Sequence, residues 1–479
     1  MPLDYPIVER ALPNGLRVVV SEDHAVPTVT VNIWVGVGSR HEAEGRTGFA
    51  HLFEHLMFQG SAHVASGEHF SALMAQGARL NATTWFDRTN YFETVPKGAF
   101  ELALWMEADR HGRLLEAVTQ ENLDNQRDVV KEEKRQRYDN VPYGTALSDL
   151  YATVFPKGHP YHHPTIGAME DLDAASLEDV HAFYRRHYRP DNTVLTVVGD
   201  VAAEEAFAAA ERYFGGLPAA EVTSRGPVDA LAPLTEPMRT ERVVHVPHDR
   251  LYLGFRLPVD STSEFWAASL ALDCLGSMAI SRLYRRLVRG DELATHVAAH
   301  GMGLVDGVSL GLVVVDVADG VSPDTAEQAV CAELERFAAS GPTDVELEAA
   351  RSQTERSWLS ALAAQDERAD LISRFGLLHG DPGFINTFLD HLADVSAAQV
   401  REAAARYLLP HARAVVAYLR AGTDEEDRVI EEAAQDDAVG GPEDGDAGGP
   451  QPSGGPEGVG GIATQDRAEG QNDNEGAAS

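Results

Sequence analysis

Cysteine is nearly absent from this chain: Cys274 and Cys331 are the two among 479 residues. Two thiols cannot staple a small scaffold, so stability has to come from packed cores, with both cysteines expected as buried thiols. Long apolar runs are missing too, and no stretch approaches the roughly 18 residues of a membrane span. Basic charge is scarce, with 39 Lys and Arg against 75 Asp and Glu, a formal net charge of −36. Without a basic surplus nothing displaces counterions from a phosphate backbone, which argues against nucleic acid as a partner. The first residues, MPLDYPIVER, carry acids where a signal peptide carries basic residues and an apolar core. No G-x-x-x-x-G-K-S/T loop and no G-x-S-x-G elbow occurs, so nucleotide hydrolysis and serine-hydrolase chemistry lack a basis. The expectation is a soluble, cytoplasmic protein with no nucleic-acid or membrane partner.

What the chain does have is apolar content, 44% of residues, enough for a core in each of several domains. Its acidity is uneven. Residues 424–479 hold sixteen acids and two arginines, a net of −14, which leaves −22 for the rest. That segment is Gly- and Pro-rich with almost no branched or aromatic residues, and it reads as a disordered acidic tail. The remainder repeats itself at an offset of 220. LDAASLEDVHAFYRRHYRPDNTVLTVVGD (172–200) matches LADVSAAQVREAAARYLLPHARAVVAYLR (392–420), pairing Ser176 with Ser396, Val180 with Val400 and Pro190 with Pro410. Each copy predicts a capped helix, a proline-broken loop and an apolar strand.

Other helical patterns fall at 68–77, 98–118, 120–137, 203–213, 264–275, 324–339 and 343–363. With the alternating segments between them they predict an α+β fold. It comprises two homologous αβ domains from an internal duplication, each a mixed or antiparallel sheet with helices on one face. The expected division is 1–222, a linker at 223–238, 239–423, and the tail at 424–479.

The segment GFAHLFEHLMFQG (48–60) carries the chemistry. Helical spacing puts His51 and His55 one turn apart on one face, with Glu54 beside them. The rest of the helix is apolar nearly all round, so it is buried. Burying a carboxyl and two imidazoles without partners costs roughly 2–7 kcal/mol even for neutral groups, and a shared divalent cation offsets that cost. The other reading is a set of internally hydrogen-bonded core residues. A catalytic zinc site takes three protein ligands. In the helix 121–138 the stripe set by Leu123, Val129 and Val130 also contains Glu133, while Glu132 turns to its edge. Glu133 is therefore the third candidate ligand. Gln126, two turns back on the same face, is placed to support the ligands from behind.

These motifs in order resemble the pitrilysin/insulinase family of inverted-motif (H-x-x-E-H) zinc peptidases, nearest its two-domain, processing-peptidase-like branch. The segments concerned are LPNGLRVVVSEDHAVPTVTVNIWVGVGSRHE, GFAHLFEHLMFQGS, RLNATTWFDRTNYFETVP and NQRDVVKEEKRQRYDNVPYG, and the likeness covers about residues 5–420. The resemblance implies one zinc per chain held by His51, His55 and Glu133, with Glu54 as general base in peptide-bond hydrolysis. It also implies that the strand around Leu80-Asn81-Ala82-Thr83 is an edge to which extended substrate adds, which makes Asn81 and Ala82 substrate-binding candidates. Two departures from the family pattern stand out. Gln126 occupies a position where a Glu is frequent. In SRLYRRLVRGDELATHVAAH (281–300), Val288 and Thr295 stand where an Arg and a Tyr hold the substrate carbonyl, with Arg289 adjacent as the remaining candidate.

The expected protein is thus a zinc endopeptidase acting on peptides or unfolded segments, as the metal-bearing half of a homo- or heterodimer whose homologous partner carries the Arg/Tyr pair. A scaffold subunit retaining the fold without turnover is the competing reading. The acidity of the folded part favours basic peptides as substrates. The histidines of GHPYHHPTIG (158–167) are expected to pack in a loop, and His63 and His69 to be exposed.

Overall fold

The computed structural model describes residues 3–219 and 228–421. The acidic segment 424–479 and the start of the expected linker, 223–227, lie outside the described residues. The first half runs β1 (Val8–Ala11), β2 (Arg17–Glu22), β3 (Thr28–Val35), α1 (Phe49–Leu56), α2 (Glu68–Ala75), β4 (Arg79–Thr84) and β5 (Thr89–Pro96). It continues with α3 (Phe100–Arg113), α4 (Gln120–Lys134), α5 (Ala146–Val154), α6 (Met169–Asp173), α7 (Leu177–His187), β6 (Thr193–Gly199) and α8 (Ala203–Phe214). The second half comprises β7 (Met238–Val244), β8 (Arg250–Leu257), α9 (Ser263–Gly276), β9 (Ala294–Met302) and β10 (Ser309–Val317). It ends with α10 (Pro323–Ser340), α11 (Asp344–Ala363), α12 (Gln365–Arg374), α13 (Phe388–Ala393), α14 (Ala397–Tyr407) and β11 (Arg413–Arg420).

The duplication is visible in the topology. The first sheet has strand order β1-β2-β6-β3-β5-β4 and the second β7-β11-β8-β10-β9, the same order once the extra β1 is set aside. One pair in each is parallel, β2 with β6 and β7 with β11, so both sheets are mixed. The repeated segment behaves alike in both copies. Ser176 caps α7 and Ser396 caps α14, each in a reciprocal box with the residue three positions on. Pro190 and Pro410 then open short 3-10 turns that lead into β6 and β11.

Each sheet carries its own helices on one face. The other face is covered by a helix of the opposite half. On β3, Val29, Val31, Ile33 and Val35 belong to the first half's own core. The alternate residues face α12 instead: Trp34 Nε1 donates to Asp370 Oδ1 (2.8 Å) and Thr28 Oγ1 to Gln365 Oε1 (2.7 Å). Reciprocally, Leu150 and Val154 of α5 pack on Leu310, Leu312, Ala414 and Val416 of the second sheet. Strands covered on both faces lose their polar alternation, which is why β6 is buried along its whole length. The exchanged helices α5 and α12 occupy matching places in the repeat, so the two halves embrace symmetrically.

Among the described residues no helix is long and apolar enough to cross a membrane. Cys274 is buried as expected, whereas Cys331 is only half-buried. His69, expected to be exposed, is 3% exposed. Its Nε2 lies 3.3 Å from Glu107 of α3, in a buried group with Glu93 and Arg110. A polar local sequence concealed partners supplied by two other elements.

Candidate metal centre

The site is built on α1, which lies at the edge of the first sheet against β4, with α4 across from it. Gly48 makes the sharp entry into α1 at φ 86°, and a Cβ there would come within 2.8 Å of the Ile166 carbonyl. A side chain would be strained on both counts. Glu42 closes the helix start by accepting from the backbone N–H groups of Gly48 (2.9 Å) and Ala50 (2.8 Å). His163 Nε2 in turn lies 3.0 Å from Glu42 Oε2. The histidine-rich loop 158–167 therefore serves packing here, with His162 Nδ1 on the Phe155 carbonyl at 2.8 Å and the His159 ring stacked on Phe155.

His51 and His55 turn to the same side of α1, ring centroids 4.8 Å apart. From α4, Glu133 Oε2 approaches to 3.3 Å from His55 Nε2 and 3.8 Å from His51 Nε2. One ligand atom from each residue fits within 4.8 Å of the other two. Ligand atoms about 2.0–2.2 Å from a tetrahedral zinc stand roughly 3.3–3.6 Å from one another, so the spacing suits the ion. The donor set, two imidazoles and a carboxylate, suits it chemically as well. α4 starts from a Thr119–Asn122 capping box, and just past Glu133 it loosens into one π-helical turn, Arg135–Asp139. Such turns recur at functional sites because they re-aim side chains.

The electrostatics favour a cation. Burial and the neighbouring His55 hold His51 down at about 3, so it is neutral, the form that ligates. Burial alone would raise Glu133, but His55, His51 and Arg137 overcome it and hold the carboxyl at about 2. Burial pulls His55 down, yet Glu133 and Glu54 outweigh it and keep His55 above its ordinary value. His51 Nδ1 is buried without a hydrogen-bond partner among the described residues, so what the ring offers is directed through Nε2. Gln126 is buried and hydrogen-bonds the His55 side chain, which places it behind that imidazole.

Glu54 stands beside this group, its carboxyl raised by burial and steadied by Thr84 of β4, whose Oγ1 donates to Oε2 at 2.5 Å. Two contacts escaped the sequence reading. Thr84 carries no local signal, since it belongs to a different element. Arg137, whose Nη1 is 2.8 Å from Glu133 Oε1, could have been found from its i,i+4 spacing. Arg88 adds a third link: its charge acts on Glu54 and on Asp370 of α12, tying the site to the second half.

Among the described residues β4 is the outer strand of its sheet, paired with β5 alone. Asn81 is half-buried and Ala82 buried, and the Ala82 N–H donates to Asn81 Oδ1 (2.9 Å). Arg289 is not brought to the cluster. It is exposed on the second half with its guanidinium 5.7 Å from the Tyr284 ring. Val288 packs against the second core, and Thr295 is exposed on β9.

Comparison with known proteins gives a consistent likeness. The family model described as insulinase (peptidase family M16) matches residues 17–167, and the one described as peptidase M16 inactive domain matches 174–354. The zinc protease PqqE of Helicobacter pylori is 28% identical over 400 residues, 83% of this chain and 89% of the relative. An uncharacterized zinc protease of Mycobacterium leprae is 33% identical over 61% of this chain and 65% of its own. The probable mitochondrial-processing peptidase subunit beta of Schizosaccharomyces pombe is 30% identical over 46% of this chain and 48% of its own. Among solved structures, a protease from Helicobacter pylori superposes with a TM-score of 0.80 at 25% identity, covering 87% of this chain and 99% of the other.

Proposed function

Because the chain belongs to the insulinase family of peptidases, family M16, we propose that it is a zinc metalloendopeptidase that hydrolyses peptides or unfolded segments. The observation that carries this reading is the convergence of His51, His55 and Glu133 beside Glu54. His51, His55 and Glu133 would hold the zinc. When bound, zinc supplies Lewis acidity that lowers the pKa of water and polarises a carbonyl. Glu54 acts as the general base, taking a proton from the attacking water and returning it to the leaving amine. Thr84 fixes the direction of that carboxylate, and Gln126 steadies His55. The free edge of β4 offers Asn81 and Ala82 to an extended peptide, whose main-chain pairing tolerates many sequences. The net −22 of the folded part supports a preference for basic peptides.

Val288 and Thr295 stand in place of the Arg and Tyr that would donate to the substrate carbonyl, a loss worth about 10²–10³ in rate. On that ground the chain is the metal-bearing subunit of a pair, completed by a homologous partner with the Arg and Tyr. The competing reading, a scaffold subunit without turnover, draws on the same two residues. The deciding experiment expresses the chain alone and with a homologous subunit carrying the Arg/Tyr pair, and measures bound zinc and peptide cleavage. Cleavage only by the mixture, abolished by Glu54→Gln with zinc retained, supports the paired peptidase. Equal cleavage by the isolated chain at high dilution removes the pairing, and no cleavage from either leaves the scaffold.

A further inference from the structure

The second half rebuilds the surroundings of α1 with different side chains. α9 packs on β9 and α11 as α1 packs on β4 and α4. α11 presents Gln353 at the 220-residue offset from Glu133, and α9 lines the same space with Ser269 and Asp273, one turn apart like His51 and His55 but at an offset of 218. The residues between them do not close up. They leave a cavity of about 150 Å3 walled by Phe265, Trp266 and Phe388. A cavity of that volume takes a molecule the size of benzene.

Two of its polar atoms are unpartnered among the described residues. Ser269 Oγ and His300 Nε2 are buried with no hydrogen-bond partner. Asp273 enters the same cavity, and burial is the influence that moves its carboxyl, pushing it up to about 7. Buried groups left so cost free energy, and a ligand that satisfies them recovers it. We propose that this cavity binds a primary ammonium group carried on a short apolar stem.

An ammonium offers three donors and no acceptor, matching the Asp273 carboxylate, Ser269 Oγ and His300 Nε2. Burial holds His300 down and so neutral, and with the proton on Nδ1 its Nε2 accepts. The aromatic walls suit both the stem and the charge. Arg374, the cation on the lining, is engaged by Asp260 at 2.6 Å and does not compete for Asp273. A carboxylate ligand would face Asp273 and Asp260, and a hydrocarbon would leave the three polar groups unsatisfied. A free amine and a peptide lysine supply the same chemistry.

The test titrates benzylamine into the full chain by calorimetry, with benzyl alcohol and benzoate alongside. Benzylamine is expected to bind at least tenfold more tightly than either. Asp273→Asn should weaken it at least tenfold and Ser269→Ala severalfold, with circular dichroism confirming both variants folded. His55→Ala should leave the affinity unchanged, which separates this cavity from the metal cluster. Displacement of benzylamine by a lysine tetrapeptide but not by its norleucine counterpart assigns the site to peptide side chains. Retained benzylamine without displacement assigns it to free amines. Equal binding of benzyl alcohol, unaltered affinity in Asp273→Asn, or loss of binding in His55→Ala overturns the proposal.

Discussion

His55 Nε2 stands 3.3 Å from Glu133 Oε2, although the two belong to different helices, α1 and α4. The contact brings one carboxylate and one imidazole into a spacing that a single divalent ion bridges, and each prediction about the metal turns on it.

Removing the Glu133 charge by Glu133→Gln should reduce bound zinc from about one per chain to near none after dialysis, read by elemental analysis. Gln126→Ala should keep the metal but weaken it about 10–100-fold in chelator competition, because Gln126 orients His55 without ligating. Equal retention in wild type and Glu133→Gln would remove Glu133 from the ligand set.

Thr84→Val deletes the hydroxyl that donates to Glu54 while preserving side-chain shape. A hydrogen bond to a charged group contributes about 1.5–3 kcal/mol, so kcat should fall about tenfold or more with KM nearly constant. Steady-state kinetics on one peptide in wild type and variant checks this. A change confined to KM would assign Thr84 to substrate binding instead.

Gly48→Ala should destabilise the fold by about 1–3 kcal/mol, since a Cβ is strained at φ 86° and meets the Ile166 carbonyl. Urea denaturation of both proteins measures the difference. A neutral effect would mean that the loop before α1 can shift.

Asp273 gives a pH dependence with a definite sign. Its folded-state value is about 7 against 3.8 for an ordinary aspartate, so the folded chain holds a proton that the unfolded chain has lost between those limits. Stability from this group is full below about pH 4 and declines as the pH rises to about 7. Asp273→Asn should flatten that decline and gain on the order of 1–4 kcal/mol at pH 8 relative to wild type. Denaturation midpoints across pH 4–8 provide the measurement, and parallel curves for the two proteins would contradict it.

Much of this architecture is legible in the chain itself. α7, α11 and α14 begin at side-chain caps and repeat apolar residues at helical spacing, and they form where those signals fall. Among the helices that the patterns did not reveal are α5 and α12. Neither has a side-chain cap, and both are short. Their apolar partners lie on the sheet of the opposite half, as with Leu150 against Leu312, so no local periodicity records the contact. His69 was misread for the same reason: its partner Glu107 comes from α3.

By itself the sequence determined the pairing of His51 with His55, because helical period is a local property and needs no other element. It pointed to Glu133 through the stripe of its own helix, and to two related halves through the repeat at 220 residues. Tertiary structure alone decided that Thr84 steadies Glu54, that Arg88 links the site to α12, and that the matching position in the second half is a cavity. Those relations join side chains across different elements. They depend on how sheets and exchanged helices pack, which spacing along one helix does not encode.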